Sequence, residues 1–333
     1  MIKIRQPLGF SEIGKRDNQE DYLYPPHSDI HTRVFILCDG MGGHDNGEVA
    51  SMTAATALGD YLSQFKEIDK ATFEKGLAKA YDVLDEIDPR TRSKPGTTMT
   101  CLCLNRSTYL VAHIGDSRIY HIRPSLFNPA TGQGGILYQS SDHSLVNDLL
   151  KAGEISEEEA RDFPQKNVIT RAMQPHLERR YKADIFQFND IASGDYFFLC
   201  SDGVLECLSN EELCRILSDT SLSDTEKINA IKDICATGTR DNHSGWLIPI
   251  EEVDNDENTD LSHTTMSIED TTASKSNPDT PKQGISNNDS SINYQSATDP
   301  EAAPKKGTSF SSLFMLLLAI LGVFLVGILW YFL

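Results

Sequence analysis

Apolar residues come in short, dense runs through the first 250 positions and in one long run at the end of the chain. RVFILC (33–38), TMTCLCL (98–104), TYLVAH (108–113), RIYHI (118–122) and YFFLC (196–200) are nearly continuous and rich in β-branched and aromatic residues. Such runs predict strands buried on both faces. Helical spacing predicts helices over 47–65, 70–87, 145–151, 210–217 and 223–236. In the second of these, Phe73 with Leu77 and Ala80 with Leu84 stand four apart and share a face. Strands that neighbour one another in the chain, with helices grouped between them, predict a layered α+β domain with antiparallel sheet. The order of the layers stays open from this pattern alone.

Past residue 250 the pattern changes twice. Residues 251–312 are rich in Asp, Asn, Ser and Thr and hold few large apolar side chains. Such a stretch buries too little surface to offset its ordering entropy, so a disordered acidic linker is expected. Residues 313–333 (LFMLLLAILGVFLVGILWYFL) are 21 uncharged positions in a row. A helix of about 20 residues crosses a hydrocarbon core of about 30 Å, and Trp330 and Tyr331 suit its interface. The expectation is one transmembrane helix, 313–333, behind a domain spanning 1–250. Lys305 and Lys306 precede the span and residues 1–13 form no apolar leader. The expected arrangement is therefore a tail-anchored, single-pass protein of the inner cell membrane with its domain in the cytoplasm.

Charge narrows the function classes. The chain has 333 residues, 49 acidic and 30 basic, for a net charge of -19. Residues 1–250 carry 37 acidic and 26 basic residues, and 251–301 carry 12 and 2. No general basic surface faces a phosphate backbone, so nucleic acid is not an expected partner. Seven scattered cysteines, without a leader, argue against a secreted disulfide scaffold.

Four short polar segments interrupt the apolar pattern: GKRDNQED (14–21), CDGMGGHDN (38–46), GDSR (115–118) and the pair SDG (201–203) with RDN (240–242). Asp39 and Asp202 each follow an apolar run ending in Cys, which predicts carboxylates at sheet ends. Oxygen groups without a Cys or His cluster suit hard ions such as Mg²⁺ or Mn²⁺, and a cation would relieve the repulsion of converging carboxylates. Gly40 lets the backbone approach closely, so its carbonyl is a further candidate ligand. Arg16 is the candidate anion partner, because a guanidinium pairs bidentately with phosphate. Each of these alone has an ordinary reading, Asp-Gly as a turn and Arg16 as a surface residue. No G-x-x-x-x-G-K-[ST], G-x-S-x-G, H-E-x-x-H or Cys-x₅-Arg pattern is present, which removes the nucleotide loop, serine elbow, zinc protease and cysteine phosphatase readings.

Taken together, GKRDNQED, CDGMGGHDNGEVAS, KPGTTM, AHIGDSRIY, SDHSLVNDLLKAGEISEEEA, KNVITRAM, FFLCSDGVLE and the late DN resemble the metal-dependent serine/threonine protein phosphatases of type 2C, in their bacterial form, over roughly residues 5–250. The resemblance implies a four-layer α-β-β-α sandwich with two central antiparallel sheets and a metal centre at one end. It implies two Mn²⁺ or Mg²⁺ ions bridged by Asp39, with the Gly40 carbonyl on one ion and Asp202 and Asp241 on the other. Glu20 is the ligand from the early E-D pair, with Asp21 supporting the centre. Asp116 would share a weaker third ion with Asp202, and Arg16 would hold the substrate phosphate. The implied activity is hydrolysis of phosphoserine and phosphothreonine in proteins by a metal-bridging hydroxide. Phosphoproteins, a serine/threonine kinase and its substrates are the implied partners, and a monomeric catalytic domain is expected. Met41 stands where the animal-type enzymes carry a proton-donating His; His44 is near it in sequence, and His143 reads either as structural or as a support behind the metal ligands. The family's mobile flap would fall within 142–172.

Overall fold

The structure is a computed structural model and describes residues 1–42, 46–87, 95–161, 163–165 and 168–254. The expected span at 313–333, and all of the linker beyond residue 254, lie outside the described residues. Among the described residues no helix is long and apolar enough to cross a membrane.

The chain begins with β1 (Ile2–Ile4), β2 (Leu8–Glu12), β3 (Asp21–Tyr24), β4 (Val34–Met41), α1 (Asn46–Leu62) and α2 (Lys70–Leu84). It continues through β5 (Gly96–Thr97), β6 (Met99–Leu104), β7 (Tyr109–Ile114), β8 (Arg118–Ile122), β9 (Ile136–Gln139), α3 (Leu145–Lys151) and α4 (Glu157–Arg161). It closes with β10 (Asp184–Phe188), β11 (Tyr196–Cys200), α5 (Asp202–Leu205), α6 (Asn210–Ser218), α7 (Asp224–Gly238) and β12 (His243–Val253). One sheet has the order β1-β12-β11-β8-β9, with β2 also on β12; the other has β10-β7-β6-β4-β3, with β5 also on β4. The strand pairings are antiparallel.

Alternation within the apolar runs builds the layers. Successive strand side chains point to opposite faces. In β4, Phe35 and Leu37 enter a core that also holds Phe197, Leu199, Trp246 and Ile248, the layer between the sheets. Ile36 and Cys38 turn the other way, onto Ala50, Ala54 and Leu58 of α1 and Phe73 of α2. In β11, Phe198 and Cys200 pack outward on Val204, Leu213 and Ile231 of α5, α6 and α7. Three apolar layers thus separate four layers of structure, which is why these strands read as nearly continuous hydrophobic runs.

The first two helices end three residues before the periodicity predicts. Past Leu62 the chain tightens to i→i−3 bonds, Gln64 N–H to the Tyr61 carbonyl and Phe65 N–H to the Leu62 carbonyl. The same tightening follows Leu84 at Glu86 and Ile87. Side-chain caps set the starts. Asp69 accepts from the Thr72 N–H ahead of α2, and a Ser223–Glu226 capping box places Ser223 just outside α7. β12 runs through residue 250 to Val253, and the Met1 amino group donates to the Asp254 carbonyl, so the folded unit extends a few residues past the expected boundary.

Candidate metal centre

The strand carrying Asp39 does not end at Cys38. β4 continues to Met41, with Asp39 opposite Asp21 and Gly40 opposite Thr97. The partner strands hold it there: the Asp39 N–H donates to Thr98 Oγ1 (3.0 Å), and its carbonyl accepts from the Thr98 N–H (2.9 Å) and Thr97 Oγ1 (3.0 Å). The Gly40 N–H donates to the Glu20 carbonyl at 3.0 Å. A Cβ on Gly40 would lie 2.2 Å from the Gly47 carbonyl oxygen and 2.6 Å from that of Glu20, so only glycine fits between these segments. This Asp-Gly is a strand under close approach, not a turn.

Other elements bring the remaining groups to the same end of the sandwich. Asp202 opens α5 directly after β11 and Ser201. Asp241 precedes β12 and accepts from Arg16 Nη2 at 2.5 Å. Asp116 lies in the turn between β7 and β8, next to Ser117, whose Oγ is 2.7 Å from Thr98 Oγ1. A cavity of about 540 Å³ is lined by Arg16, Glu20, Asp39, Gly40, Asp202 and Asp241, together with Asp17, Asn18, Met41, Gly42, Ile169 and Asn242. Asp21 and Asp116 are not on its wall. Asp21 is buried and accepts from Ser201 Oγ at 2.8 Å, and Asp116 is close enough to Asp39 and Asp202 to couple electrostatically with both. His44 lies outside the described residues.

The carboxylates are poorly compensated. Burial, then Asp21, Asp202 and Asp116, hold the Asp39 pKa well above the ordinary carboxylate range. Burial and the nearby Asp241 raise Asp202 as well. Burial pushes Asp21 and Asp116 up to about 7, helped in both by the charge of Asp202. One oxygen of each, Asp21 Oδ1 and Asp116 Oδ1, is buried without a hydrogen-bond partner. A buried acceptor without a donor is costly. Arg16 is the one Lys or Arg side chain on the described wall. An all-oxygen, anionic, under-coordinated donor set fits hard divalent cations and does not fit zinc. Cys38 and Cys200 are fully buried and burial raises both thiols far above their usual pKa, so neither is a thiolate nucleophile.

Sequence reasoning passed over three supporting residues. Asn242 accepts from the Glu20 N–H (2.8 Å) and donates to the carbonyls of Ile13 (2.8 Å) and Asn18 (3.0 Å), stapling the loop of Arg16 and Glu20 to the cavity. Its signal was the DN pair, read only through Asp241. Ser201 and Thr98 orient Asp21 and Asp39, and nothing local in sequence marks them for that.

Comparison with known proteins agrees with this architecture. Residues 8–234 match the protein phosphatase 2C family, and the chain belongs to that family of protein serine/threonine phosphatases. A putative protein phosphatase 2C-type of Streptococcus pyogenes serotype M6 is 33% identical over 259 residues, covering 73% of this chain and 97% of that protein. Protein phosphatase PhpP of Streptococcus pneumoniae is 33% identical over 265 residues, with the same shares of each chain. Among solved structures, the Mycobacterium tuberculosis serine/threonine phosphatase PstP/Ppp superimposes with a TM-score of 0.63 at 26% identity, over 76% of this chain and 100% of that one. The PstP catalytic domain in complex with two manganese ions gives 0.62 at 25% identity, over the same shares.

Proposed function

We propose that this phosphatase hydrolyses phosphoserine and phosphothreonine in proteins with the aid of two Mn²⁺ or Mg²⁺ ions, tethered at the cytoplasmic face of the membrane. The observation that carries the reading is the desolvated, poorly compensated carboxylate cluster opening onto a cavity with Arg16 at its wall. Asp39, the Gly40 carbonyl, Glu20, Asp202 and Asp241 would hold the two ions, with Asp21 behind them, and Asp116 would share a weaker third with Asp202. When bound, such ions supply an activated water and neutralise charge on the phosphoryl oxygens.

The remaining work falls to the protein's own groups. Asp241 steadies the Arg16 guanidinium, whose side chain is 59% exposed and can offer further N–H groups to a phosphate. Without cations, the carboxylate wall repels that same phosphate, so binding of substrate and of metal are linked. The described wall carries no imidazole, and Met41 stands where the animal-type enzymes place one. Phosphoproteins, with a serine/threonine kinase that acts on them, are the partners this activity requires.

The tether rests on the apolar composition of residues 313–333 and the lysines at 305 and 306. The test is hydrolysis of a phosphothreonine peptide by the full chain. Mn²⁺ should stimulate it, and Asp39→Asn should lower it by about 10²-fold or more. Tight phosphopeptide binding without turnover at saturating metal, unchanged by Asp39→Asn, would point instead to a scaffold. Protease added to intact cells should leave residues 1–300 protected; their digestion would overturn the cytoplasmic placement.

A further inference from the structure

His113, His143 and Asp184 form a cluster outside the cavity that the proposed chemistry does not use. Their ligand-type atoms lie within 4.8 Å of one another, as in a metal site, and both imidazoles are buried. The hydrogen bonds give the cluster a different task. His143 Nδ1 accepts from the Gly115 N–H at 3.1 Å, so the neutral ring carries its proton on Nε2, which faces Asp184 Oδ2 at 3.2 Å. A metal on Nε2 would have to displace that proton. Arg171 Nη1 already places a cation 3.3 Å from Nε2 and 3.4 Å from Asp184 Oδ1. The His143 ring also stacks on His113 with centroids 4.7 Å apart, and His113 Nε2 is 3.0 Å from the Ser141 carbonyl oxygen. The ring is fixed by its neighbours and needs no ion.

What the ring holds is Gly115. The Gly115 carbonyl accepts from the His143 N–H at 2.9 Å, so the two residues are joined by a pair of bonds. Gly115 has φ +105°, where L side chains are rare, and a Cβ there would lie 2.6 Å from Thr98 Cγ2. Asp116 follows directly, with its buried, unpartnered Oδ1. On the other side, the His143 carbonyl accepts from the Thr170 N–H at 2.8 Å, Ser144 bridges Ile169, and Ile169 lines the cavity. One residue therefore ties the Asp116 turn to the segment that forms part of the cavity wall.

We propose that His143 is a positioning residue: by holding Gly115 through Nδ1 it sets the Asp116 carboxylate, and with it the affinity of the weakest divalent-cation position of the centre. This rests on the reading that Asp116 serves such a position. His143 touches neither substrate nor ion. Outer partners of this kind change metal affinity by about 10- to 100-fold when removed.

The test is calorimetric titration of the metal-free full chain with Mn²⁺, alongside phosphothreonine-peptide kinetics. His143→Asn keeps an acceptor where Nδ1 stands, and His143→Leu has nearly the same shape without one. The leucine variant should weaken the weakest Mn²⁺ step by about 10-fold or more and raise the Mn²⁺ concentration for half-maximal activity in parallel. Peptide KM at saturating metal should stay unchanged, and the asparagine variant should restore most of the loss. Equal behaviour of the two variants overturns the proposal. Asp116→Asn separates the two claims. If it weakens the same step and His143→Leu does not, only the positioning role falls; if it changes no step, the Asp116 cation position falls and the proposal with it. Should His143→Leu fail to fold, ¹⁵N-histidine NMR of the unmodified chain under Mg²⁺ titration decides. An Nδ1 resonance that moves with the weakest step supports the proposal, and one that stays still through saturation overturns it.

Discussion

The two ends of β11 carry carboxylates in opposite electrostatic states. Asp195 precedes the strand, and Asp202 follows it after Ser201. Burial alone would raise Asp195, but His121 Nε2 (2.8 Å), Arg123 Nε and Nη2 (both 2.9 Å) and the Ala192 N–H (2.8 Å) all hydrogen-bond to it and leave its pKa below the usual range. Around Asp202, desolvation and then the charge of Asp241 raise the pKa, and a hydrogen bond with Asp39 offsets only part of that. Desolvation pushes both upward, although Asp195 is fully buried and Asp202 lines the cavity; the supply of donors is what differs. At one end the fold completes the charge with its own side chains. At the other it gathers carboxylates with few donors among them, and Asp21 Oδ1 and Asp116 Oδ1 beside Asp202 have no hydrogen-bond partner, a donor set that fits divalent cations.

Removing either kind of carboxylate should therefore have contrary effects on stability. Asp195→Ala leaves His121 and Arg123 without their acceptor in a buried position. The expected cost is about 3 kcal/mol, read from denaturant unfolding, because breaking a buried pair strands its partner. Stability within a few tenths of a kcal/mol of the unmodified protein would show that Asp195 is not a structural charge and would break the comparison.

A smaller effect should appear in pH dependence. Without ions, Asp21 and Asp116 ionise near pH 7 in the folded protein and near the ordinary carboxylate value once unfolded. Between those values the folded state holds more protons than the unfolded one, so stability falls as pH rises. Melting temperature in EDTA should decline between about pH 5 and 8, and Mn²⁺ should flatten the decline. Asp195 acts in the opposite sense: its lowered pKa contributes stability above the unfolded carboxylate value that is lost as pH falls through the folded one. An EDTA melting curve that climbs from pH 5 to 8 would contradict the raised values.

This contrast was only partly legible in the sequence. Strands with both faces buried announce themselves, so β4, β6, β7, β8 and β11 stand out, and Asp39 and Asp202 stand out beside them. β10 is half exposed and β12 contains Pro249, so neither resembles a buried central strand by local pattern. Arg16, Glu20, Asp39, Gly40, Asp202 and Asp241, which the family resemblance groups together, line one cavity. The bonds that orient the site could not be read in the same way. Ser201 reaches Asp21 across 180 positions, and Thr98 reaches Asp39 across 59. Such pairs depend on strand register between distant segments, which local composition does not encode. His143 could be read as a supporting residue, but not what it supports, because its Nδ1 meets the Gly115 N–H of a turn 28 residues away.

The central claim is that the cavity carboxylates are held in mutual repulsion for cations to relieve. Thermal unfolding of the full chain and its Asp39→Asn variant, in EDTA and in Mn²⁺, tests it most directly. Neutralising Asp39 should raise the melting temperature in EDTA and abolish most of the stabilisation that Mn²⁺ gives the unmodified protein. A variant that melts lower in EDTA, yet gains as much from Mn²⁺ as the unmodified chain, would contradict the account.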